Sequence, residues 1–135
     1  MERELSFSVN LDSPIAVYVQ IENQIQFAVA AGRLKAGDIL PSVRDMSAAV
    51  NVNPNTVTKA YRDLELRGVV RMRRGIGVTV SDKGPKLCRE KTRAMVCGRV
   101  NESVAECLAS GMSPSDVRKL VSTAIDSGRG PYEVR

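Results

Sequence analysis

The sequence predicts a mainly α fold with one small β-hairpin, and three observations carry that prediction. Apolar residues recur at helical spacing in five stretches, each opened by a capping residue or closed by a glycine. One stretch, Val69 to Val80, alternates with a period of two instead and turns at Gly75-Ile76-Gly77. The chain has 135 residues, enough for one ordinary domain or a small domain with an appendage.

The elements follow in order. Leu5, Phe7, Val9 and Leu11 alternate, which fits a short strand or an ordered arm. Asp12-Ser13-Pro14 reads as a helix start, a cap followed by Pro at the first helical position. Val17, Tyr18, Ile21, Ile25, Ala28 and Val29 then form an apolar stripe, and Gly32 ends it. A Gly-Asp turn follows, with Leu34, Ile39 and Leu40 expected to tuck under the core.

Ser42-Val43-Arg44-Asp45 fits a capping box, with an acid three residues after the cap. A short helix is expected through Met46, Ala49 and Val50, stopping near Asn51, a residue that tolerates left-handed backbone. Only Val52 separates it from the next start, Asn53 as cap and Pro54 as first helical residue. The inward face of that helix is Val57, Ala60, Tyr61 and Leu64, which makes Tyr61 a core residue. The outward face is Asn55, Thr58, Lys59 and Arg62, with Thr56 in the first turn beside the cap. Gly68 stops the helix.

In the hairpin, Val69, Arg71 and Arg73 are expected on one side, Val70 and Met72 on the other, with Arg73-Arg74-Gly75 at the tip. A long helix then carries Leu87, Ala94, Cys97, Val100, Val104, Cys107 and Leu108 as its stripe and stops at Gly111. Ser113-Pro114-Ser115-Asp116 opens a last helix with Val117, Leu120, Val121, Ala124 and Ile125. The tail from Gly128 is expected to fray.

Charge and composition narrow the function. The net charge is +5. Arg33 to Arg74 holds nine Lys or Arg against four Asp or Glu, so this segment holds the entire excess. Clustered positive charge favours a polyanion such as nucleic acid, though a merely solvated basic face has the same signature. The chain has no histidine, which removes the commonest zinc ligand and general base. Cys88, Cys97 and Cys107 are odd in number and lack metal-site spacing, so they read as small buried hydrophobes. No nucleophile motif or phosphate loop occurs, so neither an enzyme nor a cofactor is expected. No apolar run approaches the roughly 20 residues of a membrane span. The N-terminus lacks a leader pattern, so the expected location is cytoplasmic.

Two short helices a few residues apart, the second with a polar and cationic outward face, outline a helix-turn-helix. A helix before it and a hairpin after it make it a winged one. The DNA major groove admits one helix, whose N-terminal side chains reach base edges. Backbone N–H groups at the helix start favour phosphate oxygens.

The spaced motifs Leu40-Pro41-Ser42-x-Arg44, Val52-Asn53-Pro54-Asn55-Thr56-Val57, Ala60-Tyr61-x-x-Leu64-Glu65-x-x-Gly68 and Gly75-x-Gly77 resemble the DNA-binding domain of the GntR family of bacterial transcriptional regulators. The V-N-P-N-T-V form and the short C-terminal part resemble its YtrA-like subfamily, which dimerises through a small helical pair. The resemblance implies that Ser42 and Arg44 lie on the operator side. It places Asn53, Asn55, Thr56 and Thr58 at the start of the recognition helix and makes Arg74 and Gly75 the wing contact. Lys59, Arg62 and Arg73 are expected against phosphate, and Asn53 mainly as a cap. Many relatives carry Arg where this chain has Pro54 and Thr58, so base preference does not transfer.

A two-helix segment of this size cannot bury its stripe alone. Residues 1–81 (core 12–81) are therefore expected as the winged helix-turn-helix, and residues 82–135 as a helical hairpin for homodimerisation. Leu87, Ala94, Cys97, Val100, Val104, Leu108, Val117, Leu120, Val121 and Ala124 would form its interface. A cap on the chain's own core is the alternative use of that stripe. The expected activity is sequence-specific regulation, most simply repression from a palindromic double-stranded operator on the nucleoid. The alternative is an architectural winged helix that binds DNA without sequence preference.

Overall fold

The computed structural model describes residues 5–129. It contains α1 (Val17–Ala30), α2 (Val43–Val50), α3 (Pro54–Leu66), β1 (Val70–Arg73), β2 (Gly77–Val80), α4 (Gly84–Ala109) and α5 (Pro114–Ser127). Three of the expected caps form as read. Ser42 Oγ accepts from Asp45 N at 3.0 Å, Asn53 Oδ1 from Asn55 N at 2.8 Å, and Ser113 Oγ from Asp116 N at 3.1 Å. Asn51 closes α2 in the left-handed region at φ 55°.

The first start does not form as read. Ser13 Oγ accepts from Ile15 N in a turn, and α1 begins only after Ala16. Ser13 holds the turn that leads the arm onto the helix, so Pro14 lies outside it. The arm itself is ordered without pairing as a strand. Gln24 and Gln20 act in place of a neighbouring strand: Ser8 N donates to Gln24 Oε1, Asn10 N to Gln20 Oε1, and each amide donates back to the carbonyl it faces. Leu5, Phe7 and Val9 pack on the core, while Leu11 is exposed.

The core gathers Ile21, Ile25 and Val29 of α1, Met46 and Val50 of α2, and Val57, Ala60, Tyr61 and Leu64 of α3. Tyr61 is inside, as its helical position requires, and its hydroxyl donates to the Pro41 carbonyl at 2.6 Å. Leu34 and Leu40 tuck in as expected, but Ile39 is exposed. Its backbone bridges Thr79 and extends the hairpin by one short edge, which turns the side chain outward.

β1 and β2 pair antiparallel with Val70 opposite Val80 and Arg73 opposite Gly77. The expected alternation breaks here. Val69 and Val70 are both buried, and Met72 is 61% exposed. On β1 only Val70, at the base of the hairpin, is buried, whereas β2 buries Val78, Thr79 and Val80 in succession. Burial thus differs between the two strands and does not follow a period of two.

α4 is a single 26-residue helix. Its first half lies along α1, with Cys88 and Thr92 buried there. Gly84 makes the close approach possible: an added Cβ would lie 2.8 Å from the Val69 carbonyl oxygen. Burial pushes the Cys88 thiol up to about 11. Cys97 is exposed and Cys107 half-buried, so only one of the three cysteines is the buried hydrophobe expected. α5 folds back on the end of α4 and buries Val117. The tail beyond Arg129 lies outside the described residues.

Candidate nucleic-acid interface

The α2–turn–α3 unit owes its geometry to a few contacts. Asn51 in left-handed backbone turns the chain sharply, and Asn53 starts the next helix two residues later. The Tyr61 hydroxyl ties α3 to the segment that enters α2. Glu65 Oε2 accepts from the Met72 backbone N–H at 3.0 Å and joins α3 to the first strand of the hairpin. Sequence reading placed Glu65 in a motif without giving it this role. An exposed acid seven residues before a strand amide gives no periodic signal.

α3 buries Val57, Ala60, Tyr61 and Leu64, and so presents Asn55, Thr58 and Arg62 on the opposite face. Asn55, Lys59 and Arg62 are exposed; Thr56 and Thr58 are half-exposed. Arg44 on α2 is exposed, as are Arg73, Arg74 and Gly75 at the hairpin tip. Gly75 has φ 80°, a backbone conformation that favours glycine at the turn.

The basic side chains of this region divide by what they touch. Arg67 donates to Glu22 Oε2 at 2.7 Å and braces α3 against α1. Lys59 Nζ lies 3.7 Å from Asp63 and 4.5 Å from the Tyr18 ring centroid. Lys59 is thus drawn to the flank of α3 that faces α1, away from Arg62. The side chains of Arg44, Arg62, Arg73 and Arg74 make no hydrogen bond or ion pair among the described residues. Asn55, Thr56 and Thr58 likewise keep their polar side-chain groups free.

The start of α3 offers its dipole more than free donors. Asn55 N is capped by Asn53, and Thr56 N donates to the Asn53 carbonyl at 3.0 Å. No acid sits in the first turn of α3, in contrast to Asp45 in α2 and Asp116 in α5. The positive end of this helix is therefore not neutralised. Ser42 and Asn53 spend their side-chain oxygens on caps.

The sequence model described as "Bacterial regulatory proteins, gntR family" matches residues 17–80. The HTH-type transcriptional repressor YtrA of Bacillus subtilis is 32% identical over 100 residues, which is 74% of this chain and 77% of that one. The chain belongs to the GntR family. A GntR-family YtrA from Sulfolobus acidocaldarius shares its fold with a TM-score of 0.55 and 31% identity, over 72% of this chain and 95% of that one. A structure described as a transcriptional antiterminator from Listeria monocytogenes EGD-e matches with a TM-score of 0.67 and 28% identity, over 97% and 98% of the two chains.

As a GntR regulator of the YtrA-like type, the protein uses α1 to β2 as a DNA-binding winged helix. Its relatives are named as regulators of transcription, not as enzymes. Among the described residues no helix is long and apolar enough to cross a membrane, and no cluster of His, Cys, Asp or Glu could hold a metal ion.

Proposed function

We propose that the chain is a repressor that binds a palindromic operator as a homodimer, occluding a promoter on the bacterial nucleoid in the cytoplasm. The observation that carries this reading is the division of polar groups on α3. Lys59 and Arg67 are held against α1, while Asn55, Thr56, Thr58 and Arg62 remain free on the outer face.

In this reading the start of α3 enters the major groove. Asn55 and Thr56 reach base edges, Thr58 follows along the groove, and Arg44 and Arg62 hold the neighbouring phosphates. Arg73, Arg74 and Gly75 form the wing and lie on the adjacent backbone or minor groove. Residues 1–81 do this work, and residues 82–135 pair two copies. The stripe of α4 and α5 supports the pairing: Val100, Leu108, Leu120 and Ile125 are each exposed by more than two fifths. The repressor role is supported by the Bacillus subtilis relative, which is named a repressor.

The experiment is selection from random duplex DNA at about 150 mM salt, then affinity for the winner and for a scrambled duplex. A palindromic winner bound at least about 10³-fold more tightly supports the proposal. No enriched site, with affinity that collapses as salt rises, favours an architectural protein that binds the backbone only.

A further inference from the structure

The outward side of α4 changes character along its length. Lys86, Arg89 and Arg93 in the first half are exposed and make no ion pair among the described residues. From there Arg93, Cys97, Val100, Val104 and Cys107 recur at steps of four, three, four and three. That spacing is the seam of a two-helix coil, and Val96 and Leu108 flank it. Cys97 and Val100 are exposed, and Val104 and Cys107 are half-buried. α5 buries only Val117, which leaves Leu120, Val121 and Ile125 to close over a helix lying on the seam.

The seam is symmetric about the level of Glu102. Cys97 and Cys107 lie five residues to either side of it, Val100 and Val104 two, and Val96 and Leu108 six. A second copy running antiparallel about a two-fold axis at that level sets Val100 against Val104 and Val96 against Leu108. A parallel copy would instead bring Lys86, Arg89 and Arg93 of the two chains side by side, which like charges oppose. Distance points the same way. The winged helix is seated on α4 through Cys88 and Thr92, centred on position 90. That level is about 18 Å from Glu102 at about 1.5 Å per residue. An antiparallel pair therefore holds the two seats about 36 Å apart, close to the roughly 34–36 Å of one DNA turn. A parallel pair would hold them one interhelical distance apart, about 8–10 Å, where two winged helices collide.

We propose that two copies pair antiparallel along this seam, about a two-fold axis at the level of Glu102, so that each Cys97 stands beside the partner's Cys107 as an inter-chain dithiol open to oxidation. This rests on the homodimer of the proposed function and adds its register, its two thiol pairs and the spacing of its winged helices. Both thiols are free. Within one chain they cannot meet. They are about 15 Å apart along the helix, whereas a disulfide needs Cα atoms within about 7 Å. With hydrogen peroxide as oxidant, each pair forms one S–S bond. Its two protons and two electrons pass to the peroxide, which leaves as two waters. Two such bonds would hold the winged helices at operator spacing even in a dilution that separates the reduced dimer.

The full chain is first sedimented with reductant, which reads the dimer alone. It is then treated with hydrogen peroxide and resolved on a non-reducing gel, and the joined peptides are identified by mass spectrometry. The expected product is a covalent dimer whose main cross-link is Cys97–Cys107. Cys97→Ser and Cys107→Ser should each lose that covalent dimer. An equal mixture of the two variants should regain it, through one bond per dimer. Neither residue belongs to the core cluster, so both variants should fold. A monomer under reductant overturns the homodimer and this register with it. A dimer whose cross-link joins Cys97 to Cys97, or persists in Cys107→Ser, overturns the register alone. So does a dimer that yields no Cys97–Cys107 peptide.

Discussion

Arg62 and Arg67 lie five residues apart on the same strip of sequence, yet their surroundings give them different work. Arg67 is bound to a buried carboxylate; Arg62 touches no protein group. Replacing Arg67 with Met should cost roughly 1–3 kcal/mol of stability, because Glu22 loses its partner while still buried. Chemical denaturation measures this, and DNA contact need not change. Arg62→Ala should leave stability alone, weaken all duplexes alike and reduce the salt slope by about one. Lys59→Ala should change the salt slope less than Arg62→Ala, since Lys59 is held by Asp63 and Tyr18. Asn55→Ala or Thr56→Ala should instead alter preference among bases, by about 1–3 kcal/mol for a lost base-edge contact. Competition binding with single-base operator variants separates these outcomes.

Glu22 also makes folding depend on pH. Burial raises its carboxyl pKa, a hydrogen bond from its side chain to Asp63 raises it further, and Arg67 partly offsets both. The folded chain therefore holds this proton more tightly than the unfolded chain. That stability is present at low pH and is lost as pH rises from the ordinary carboxylate value through the raised one. Asp63 has the opposite sign: the hydrogen bond with Glu22 lowers its pKa most, and its share is lost as pH falls. Lys59 and Arg67 at α3, Tyr18 on α1, and Lys91 and Arg99 on α4 complete the charged and titratable surroundings. Urea midpoints between about pH 4.5 and 8 should fall with rising pH in the parent and flatten in Glu22→Gln.

Among the elements, the contact that seats α4 is the most sensitive to a single atom. Gly84→Ala places a methyl group 2.8 Å from the Val69 carbonyl, a backbone atom that cannot rotate away. The expected cost is roughly 1–3 kcal/mol from overpacking, read as a lower thermal midpoint. The same junction shows why some elements were legible in the sequence and others were not. α2, α3 and α5 begin at caps whose side chains bond the residue two or three ahead, a local rule that sequence carries. The Ser13 turn uses the same chemistry, and only the arm lying on α1 decides that it belongs to a turn. The polar side of α1 carries Gln20, Glu22 and Gln26, outside the expected apolar stripe. It is covered by the arm on one flank and α4 on another, and neither partner is visible in helical periodicity. On the candidate DNA face, residue types and spacing marked α3 and the wing tip. They did not distinguish Lys59 from Arg62, because that difference depends on Tyr18, some forty residues earlier, as well as on Asp63 one turn away.

For the molecule as a whole, the decisive question is what covers the outer side of α4 and α5. Leu87, Ala94, Cys97, Val100, Leu108, Leu120, Val121 and Ala124 are exposed in the single chain; Val104 is half-buried, and Val117 is already used between the two helices. The first half of α4 does cap the chain's own core, but it does so with Cys88 and Thr92, from a different face. The expected stripe is thus available to a partner, and in the proposed homodimer a second copy would cover it by two-fold symmetry with the same patch on both sides. Val100→Glu combined with Leu120→Glu should then give a monomer by sedimentation. Neither residue belongs to the core cluster, so the thermal transition of the winged helix should survive. Each monomer keeps a complete α3 and wing and should still bind a half-site. It should lose about 10²–10⁴-fold in affinity for the full palindrome, the advantage that linking two half-site contacts confers. A double variant that still sediments as a dimer would place the interface elsewhere. A monomer with undiminished operator affinity would mean that one winged helix suffices, and the palindrome would then have no structural cause.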